Sequence, residues 1–280
     1  GGSGVSNYLG EMGGKEKTRR NFLLDLKLSQ TRWVVNTFAR YRVHPLVSIK
    51  AEIIYARIQG ADNLSTNPGR VGRNLSFRND MFELNTTGEF FFYQINDLGR
   101  AYRYRNDFRC YVFAGAGGLY HSPKTDYNGE TVKLHFLRTE GVKYSKFQFV
   151  VPAGVGFYFT INKKQRITYE MGWRTTFTDY LDDVSTVYAD PSIFQGDPIA
   201  IAVANRNPEL MYDPNVDNIP KAENYLTGQK RGDPTHNDSY MFTTVSYSYA
   251  IRGKSNFGKA RYGSYFKGKK YKKRTIRAKF

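Results

Sequence analysis

Four histidines and three closely spaced aspartates are the residues best suited to acid–base or metal chemistry, and their spacing argues against both. His44, His121, His135 and His236 fall in turns or loops, and no two stand at a metal-ligand spacing. Asp179, Asp182 and Asp183 follow a long strand. A hydrolase would need His121 or His236 to meet them at the rim of the fold, and calcium would need further oxygen ligands. The simpler expectation is that Asp179, Tyr180, Asp182 and Asp183 brace the base of a loop. Cys110 is the single cysteine, which excludes an internal disulfide and a Cys-rich metal site. Gly115-Ala116-Gly117-Gly118 lacks the lysine of a phosphate loop and suits strand curvature or close packing instead. No catalytic residue, metal, cofactor or small-molecule substrate is expected.

The other chemistry is electrostatic. The chain of 280 residues carries a net charge of +17, and residues 252–280 hold twelve basic residues and no acid. Lys267, Lys269, Lys270, Lys272, Lys273, Arg274 and Arg277 are the densest part. Interleaved with Tyr262, Tyr265, Phe266 and Tyr271, they suit nucleic acid in isolation, or a solvated tail. They also suit an electrostatic dock for an acidic protein or for anionic lipid, the reading favoured here.

Those charges must be positioned by strands. Residues 144–178 read as two long strands joined by a turn at 162–165. Phe147, Phe149, Val151, Ala153, Val155, Phe157, Phe159 and Ile161 alternate with small or polar residues. The same phase resumes with Ile167, Tyr169, Met171, Trp173, Thr175 and Phe177, opposite Glu170 and Arg174. A period of two means strand. These strands are about twice the usual five or six residues, and the apolar face carries no charge. That length suits a bilayer, which needs about 9–11 tilted residues per crossing.

Six further segments fit the same pattern: 1–9, 32–43, 47–57, 82–93, 109–120 and 239–251. Small residues fall on both faces of 109–120, which leaves its orientation open. The total of eight is even, and the connections alternate long and short, ending with a long Pro-containing loop at 179–238. The expected fold is therefore all-β, an eight-stranded antiparallel transmembrane barrel at 1–251, with a basic tail at 252–280. Long loops would be extracellular, and both termini and the tail periplasmic, which makes nucleic acid an improbable partner. Arg40, Arg42, Lys50, Glu52, Glu83, Glu89, Glu170 and Arg174 fall on the inward face. An eight-stranded barrel is just wide enough for side chains to fill, so these charges are expected to pair in a structural plug, with a narrow ion path as the alternative. No run of eighteen apolar residues offers a transmembrane helix. The mean hydropathy of −0.58 is compatible with alternating strands, and 22 Tyr with 20 Phe suit aromatic girdles. The first residues show no signal peptide, so a barrel would be the processed form.

The run Glu170-Met171-Gly172-Trp173-Arg174-Thr175-Thr176-Phe177-Thr178-Asp179-Tyr180-Leu181-Asp182-Asp183-Val184-Ser185 resembles a signature of PorG-like proteins, small outer-membrane barrels of the type IX secretion and gliding machinery of Bacteroidota. Ser6-Asn7-Tyr8-Leu9-Gly10, Arg73-Asn74-Leu75-Ser76-Phe77-Arg78 and Phe113-Ala114-Gly115 look similar to the same family. The resemblance implies a non-enzymatic barrel in the outer membrane, in contact with its lipids and with a periplasmic ring of PorK/PorN type. A stand-alone OmpA-type structural barrel or adhesin is the alternative, and an outer-membrane hydrolase a weaker one.

Overall fold

In a computed structural model of the chain, described at residues 1–10, 12, 28–96, 107–162, 164–210 and 222–251, nine strands make one antiparallel sheet. They are β1 (Gly2–Leu9), β2 (Arg32–His44), β3 (Val47–Ala61), β4 (Ser76–Asn96), β5 (Asp107–Tyr127), β6 (Glu130–Lys133), β7 (Phe147–Ile161), β8 (Gln165–Thr176) and β9 (Ser239–Tyr249). Neighbours run β4-β3-β2-β1-β9-β8-β7-β5, and β4 also pairs with β5, so eight strands close into a ring. These are the eight expected from alternation. The ninth, β6, was not expected. It lies along the end of β5, from Lys124↔Lys133 to Tyr127↔Glu130, within what read as a plain loop. Most of the turn between β4 and β5 and the basic tail at 252–280 lie outside the described residues.

Closure turns the alternation into an inside and an outside. On β4, Met81, Glu83, Asn85, Thr87, Glu89 and Phe91 are buried, while Phe82, Leu84, Thr86, Gly88, Phe90 and Phe92 are exposed. β5 takes the phase that its sequence left open. Arg109, Tyr111, Phe113, Leu119 and His121 point in, and Val112, Ala114, Ala116, Gly118 and Tyr120 point out. Gly115 and Gly117 leave no room for a Cβ against the β4 backbone. A Cβ on Gly115 would fall 2.1 Å from the Thr86 carbonyl oxygen, and one on Gly117 2.6 Å from that of Leu84.

Outside, the apolar face is bounded. Tyr55, Phe82, Tyr120 and Phe147 are successive partners across β3, β4, β5 and β7. The Trp33 and Tyr55 rings lie 5.3 Å apart, and those of Tyr120 and Phe147 5.0 Å. Two residues further toward the long loops the outward positions become charged. Arg57 Nε donates to Asp80 at 2.6 Å, and Lys124 Nζ to the other Asp80 oxygen at 3.2 Å. Toward the turns, a second aromatic row contains Phe90, Phe92, Phe157, Phe159 and Tyr169, with Phe157 and Tyr169 rings 5.2 Å apart. Between the rows the outward positions of the described strands carry no charge.

The long connections fold over one end of the ring. The helices α1 (Pro68–Arg73), α2 (Leu134–Leu137), α3 (Pro198–Ala204) and α4 (Asn207–Leu210) belong to them, so the stretch at 179–238 holds short helices despite its lack of sequence periodicity. Asn67 caps α1 and Asp197 caps α3, each followed by Pro at the first helical turn. Leu134, Leu181, Val184 and Val203 of these connections join Phe77, Met81, Leu119 and Tyr240 of the strands in one apolar cluster. The loop end of the lumen is thus packed shut.

Candidate functional site

Three polar layers lie along the barrel axis: a charged plug at mid-height, a cap at the loop end, and an arginine-rich mouth at the turn end. The plug gathers seven of the eight charged residues that sequence phase placed inward, Arg40, Lys50, Glu52, Glu83, Glu89, Glu170 and Arg174. Glu170 is its hub. Lys50 Nζ lies 2.6 Å from one Glu170 oxygen, Arg40 Nη2 lies 3.1 Å from the other, and the Tyr111 hydroxyl donates to the latter. Arg40 Nε also pairs with Glu89 at 2.8 Å, and Lys50 with Glu52 at 3.1 Å. Glu83 accepts from Asn85 at 2.6 Å and from the Tyr240 hydroxyl at 2.7 Å, with Arg174 Nε at 3.7 Å. Arg42 stands apart from this network, nearer the turns. Dehydrating such charges costs several kcal/mol each unless partners surround them, and each of these seven has an oppositely charged partner within the layer.

The cap is held by buried ionic knots that no local pattern announces. Arg73 makes a two-pronged pair with Asp62 at 2.7 and 2.8 Å, and its Nη1 donates to the Arg231 carbonyl at 2.6 Å. Arg231 Nη1 reaches Glu140 at 2.8 Å and the Asp183 carbonyl at 2.6 Å. Glu140 also accepts from the Ser185 and Thr186 amides at 3.0 and 2.9 Å. Its neighbours are therefore supplied from the far side of the loop sequence.

The aspartate trio sits at the base of this cap. Asp183, with a positive φ of 68°, accepts from Thr139 Oγ1 at 2.5 Å and from the Tyr144 hydroxyl at 2.6 Å. Asp182 accepts from the Val184 amide at 3.0 Å and from the Tyr8 hydroxyl at 2.7 Å. The Tyr8 oxygen also lies 2.5 Å from Asp238. The one Tyr8 hydroxyl proton is thus shared between two buried carboxyl groups. Burial, then the charges of Asp182 and Asp179, push the Asp238 carboxyl well above its ordinary range. Asp179 is buried beside it, and Tyr180 stacks on Tyr144 with ring centroids 4.8 Å apart.

The structure does not assemble the hydrolase constellation. His121 is buried against the Ser145 carbonyl and stacks over Tyr144. His236 is exposed beside Asp233 and Thr235. Among the described residues no group of three His, Cys, Asp or Glu is arranged to hold a metal ion. Sequence reasoning missed Tyr8, Asp62, Arg73, Glu140, Arg231 and Asp238. The available signal for them was weak, namely acids and arginines within loops rich in turn residues.

Burial pushes the Asp183 carboxyl up to about 6, only partly offset by Arg231, Thr139 and Tyr144, while Glu140 adds to the rise. The folded cap therefore binds this proton more tightly than the unfolded chain. Its contribution is complete below about pH 4 and is lost as pH rises through about 6, a change on the order of 3 kcal/mol. Proteolytic cleavage within 179–238 is expected to quicken across that window. Asp183→Asn keeps an acceptor for Thr139 and should flatten the dependence; an unchanged pH profile in that variant would contradict the assignment.

A family model described as a domain of unknown function, DUF6089, matches residues 3–193, which include all but the first residue of β1, the whole of β2 to β8 and the aspartate trio. No curated protein matches the chain.

Proposed function

We propose that this chain, which belongs to the DUF6089 family, is an outer-membrane β-barrel that serves without catalysis as a docking component of a protein-secretion machine of the type IX class. The observation that carries the membrane reading is the inversion of the ring, with charges sealed inside and an uncharged belt outside. On β4 that belt runs from Phe82 to Phe92. These eleven residues make ten steps of about 3.4 Å, which at a tilt of about 40° rise about 26 Å, close to the apolar band of outer-membrane barrels. The aromatic rows fall at its two edges, where interfaces favour Tyr, Trp and Phe. Short turns at one end and long packed connections at the other suit a periplasmic and an extracellular side. The termini of the ring, Gly1 and Ile251, then lie on the periplasmic side.

The secretion assignment is supported by the resemblance of residues 170–185 to the PorG-like signature and by the charge of the tail. Lys267, Lys269, Lys270, Lys272, Lys273, Arg274 and Arg277 would meet an acidic face of a periplasmic ring of PorK/PorN type, while outer-membrane lipids surround the belt. The test is an affinity pull-down from native envelopes in mild detergent. Recovery from the outer-membrane fraction together with ring proteins is expected, and truncation after Phe266 should leave the barrel folded and weaken that recovery. A barrel recovered alone would move the assignment to an independent structural barrel or adhesin, and recovery from a soluble fraction would remove the membrane reading.

A further inference from the structure

The charged fringe beyond the aromatic row at the loop end is not uniform around the ring. Gln59, Arg78, Lys124 and Lys133 are successive partners across β3, β4, β5 and β6, and Lys146 immediately precedes Phe147 of the aromatic row. The loop ends of β8 and β9 differ, for residues 175–180 and 234–243 contain no lysine or arginine. Within the basic sector, α2 is anchored by buried Leu134 and by His135, whose Nε2 lies 2.9 Å from the Tyr144 carbonyl oxygen. That leaves the Phe136 ring 64% exposed beside two ammonium groups, with Lys146 Nζ 4.2 Å and Lys133 Nζ 5.9 Å from its centre. Phe147, at the edge of the belt, is 74% exposed.

The acids of this sector are engaged or lie farther out. Asp80 takes Arg57 and Lys124, and Glu140 is held by Arg231 and two backbone amides. Asp126, 3.7 Å from Arg78 and 2.8 Å from the Thr131 hydroxyl, sits two residues beyond Lys124. Glu130 lies beyond Lys133, at the tip of the β5–β6 hairpin. Among the described residues Lys133 and Lys146 meet an aromatic ring and form no ion pair. Away from the belt the order is thus aromatic row, lysine, acid, which puts the lysines at the level where headgroups meet the hydrocarbon edge. Two like charges beside one ring repel each other, and an ammonium in contact with a ring face keeps N–H donors for an anion. We propose that Lys133 and Lys146, with Phe136 and Phe147, hold the phosphorylated headgroup of an outer-leaflet lipid whose acyl chains lie along the belt. The site faces outward at the edge of that belt, so its occupant needs an anionic head joined to an apolar body, which a lipid has and an acidic peptide lacks. This inference rests on the membrane reading for the source of the lipid.

The test is native mass spectrometry of the full chain, released from detergent micelles after addition of bis-phosphorylated lipid A. The parent should retain a lipid A adduct, and the pair Lys133→Gln and Lys146→Gln should weaken retention by about tenfold or more. The pair Lys133→Arg and Lys146→Arg keeps the charge and should retain the lipid, which guards against a folding defect as the cause of the loss. Lipid A stripped of its phosphates should be held no better by the parent than by the Gln pair. A full-length variant with Lys269, Lys270, Lys272, Lys273 and Arg274 changed to Gln should bind like the parent, which separates the site from the basic tail. Four outcomes would overturn the proposal: a Gln pair that binds like the parent, retention lost with the tail changes alone, stripped lipid held as well as the phosphorylated one, or a polyglutamate peptide held as tightly as lipid A. Recovery of the chain from a soluble fraction would remove the membrane reading whatever lipid A does, whereas an envelope-embedded barrel indifferent to the Gln pair would remove this site alone.

Discussion

Glu170→Ala is expected to destabilise the barrel by about 3–5 kcal/mol, the usual cost of removing one member of a buried ionic group. The carboxylate takes Lys50 at 2.6 Å and Arg40 at 3.1 Å. Without it both cations stay in a layer where Lys50 is 1% exposed, and among the described residues Lys50 keeps one ion-pair partner, Glu52. Urea unfolding of the detergent-refolded protein measures the loss as a lowered midpoint at unchanged slope. The double variant Glu170→Gln with Lys50→Met should recover part of it, because the uncompensated charge goes with its partner. Equal stability of Glu170→Ala and the parent would mean that water reaches the layer, and the narrow ion path would then return as the better account of these charges.

Glu140→Ala is the second large effect, and it should act on the cap alone. Glu140 accepts from Arg231 at 2.8 Å and from two backbone amides, and Arg231 is 3% exposed. Deletion leaves a buried guanidinium and the amides of buried Ser185 and half-buried Thr186 without that acceptor, again on the order of 3–5 kcal/mol. Because the knot ties residue 140 to 183–186 and 231, the connections should open while the strands hold. Hydrogen exchange at Ser185 and Thr186 should speed up, and cleavage within 179–238 should increase, with the resistance of β2 to β4 unchanged. Simultaneous loosening of strands and cap would show that the two do not open as separate units.

The ring was largely legible because its two faces differ in chemistry and the strand period is two. Phe82 to Phe92 announce β4 without any reference to tertiary structure. Glycine and alanine carry little facial information, so β5 could be placed but not oriented until Tyr111 and Leu119 were seen inside. The strand ends were hidden for a related reason. Past Tyr55, Phe82 and Tyr120 the outward residues turn charged, as at Arg57, Asp80 and Lys124, and the apolar alternation that marks a strand stops before the hydrogen bonding does. β4 therefore begins at Ser76 and β5 runs on to Tyr127.

For the polar layers, phase told which charges point inward but not which meet. Lys50 and Glu170 are 120 residues apart, and only closure of the ring brings them together. The cap was less legible still. Glu140 and Arg231, Arg73 and Asp62, Tyr8 and Asp238 are joined by long-range packing, with no repeat or spacing rule linking the members. The mouth illustrates a third case. Arg42 was readable as inward, but its partnership with Arg109 over Phe91 depends on the barrel's curvature across several strands.

The pairing of β1 with β9 has a consequence for assembly. Gly2 faces Ser246 and Leu9 faces Ser239, so the seam joins segments separated by most of the chain. A ribosome must deliver Tyr249 before that seam can form, and every shorter nascent chain presents two unsatisfied strand edges. Non-local closure of this kind is slow. Until that seam forms, the first and last strands each keep an edge able to pair with another chain, so aggregation through those edges competes with closure.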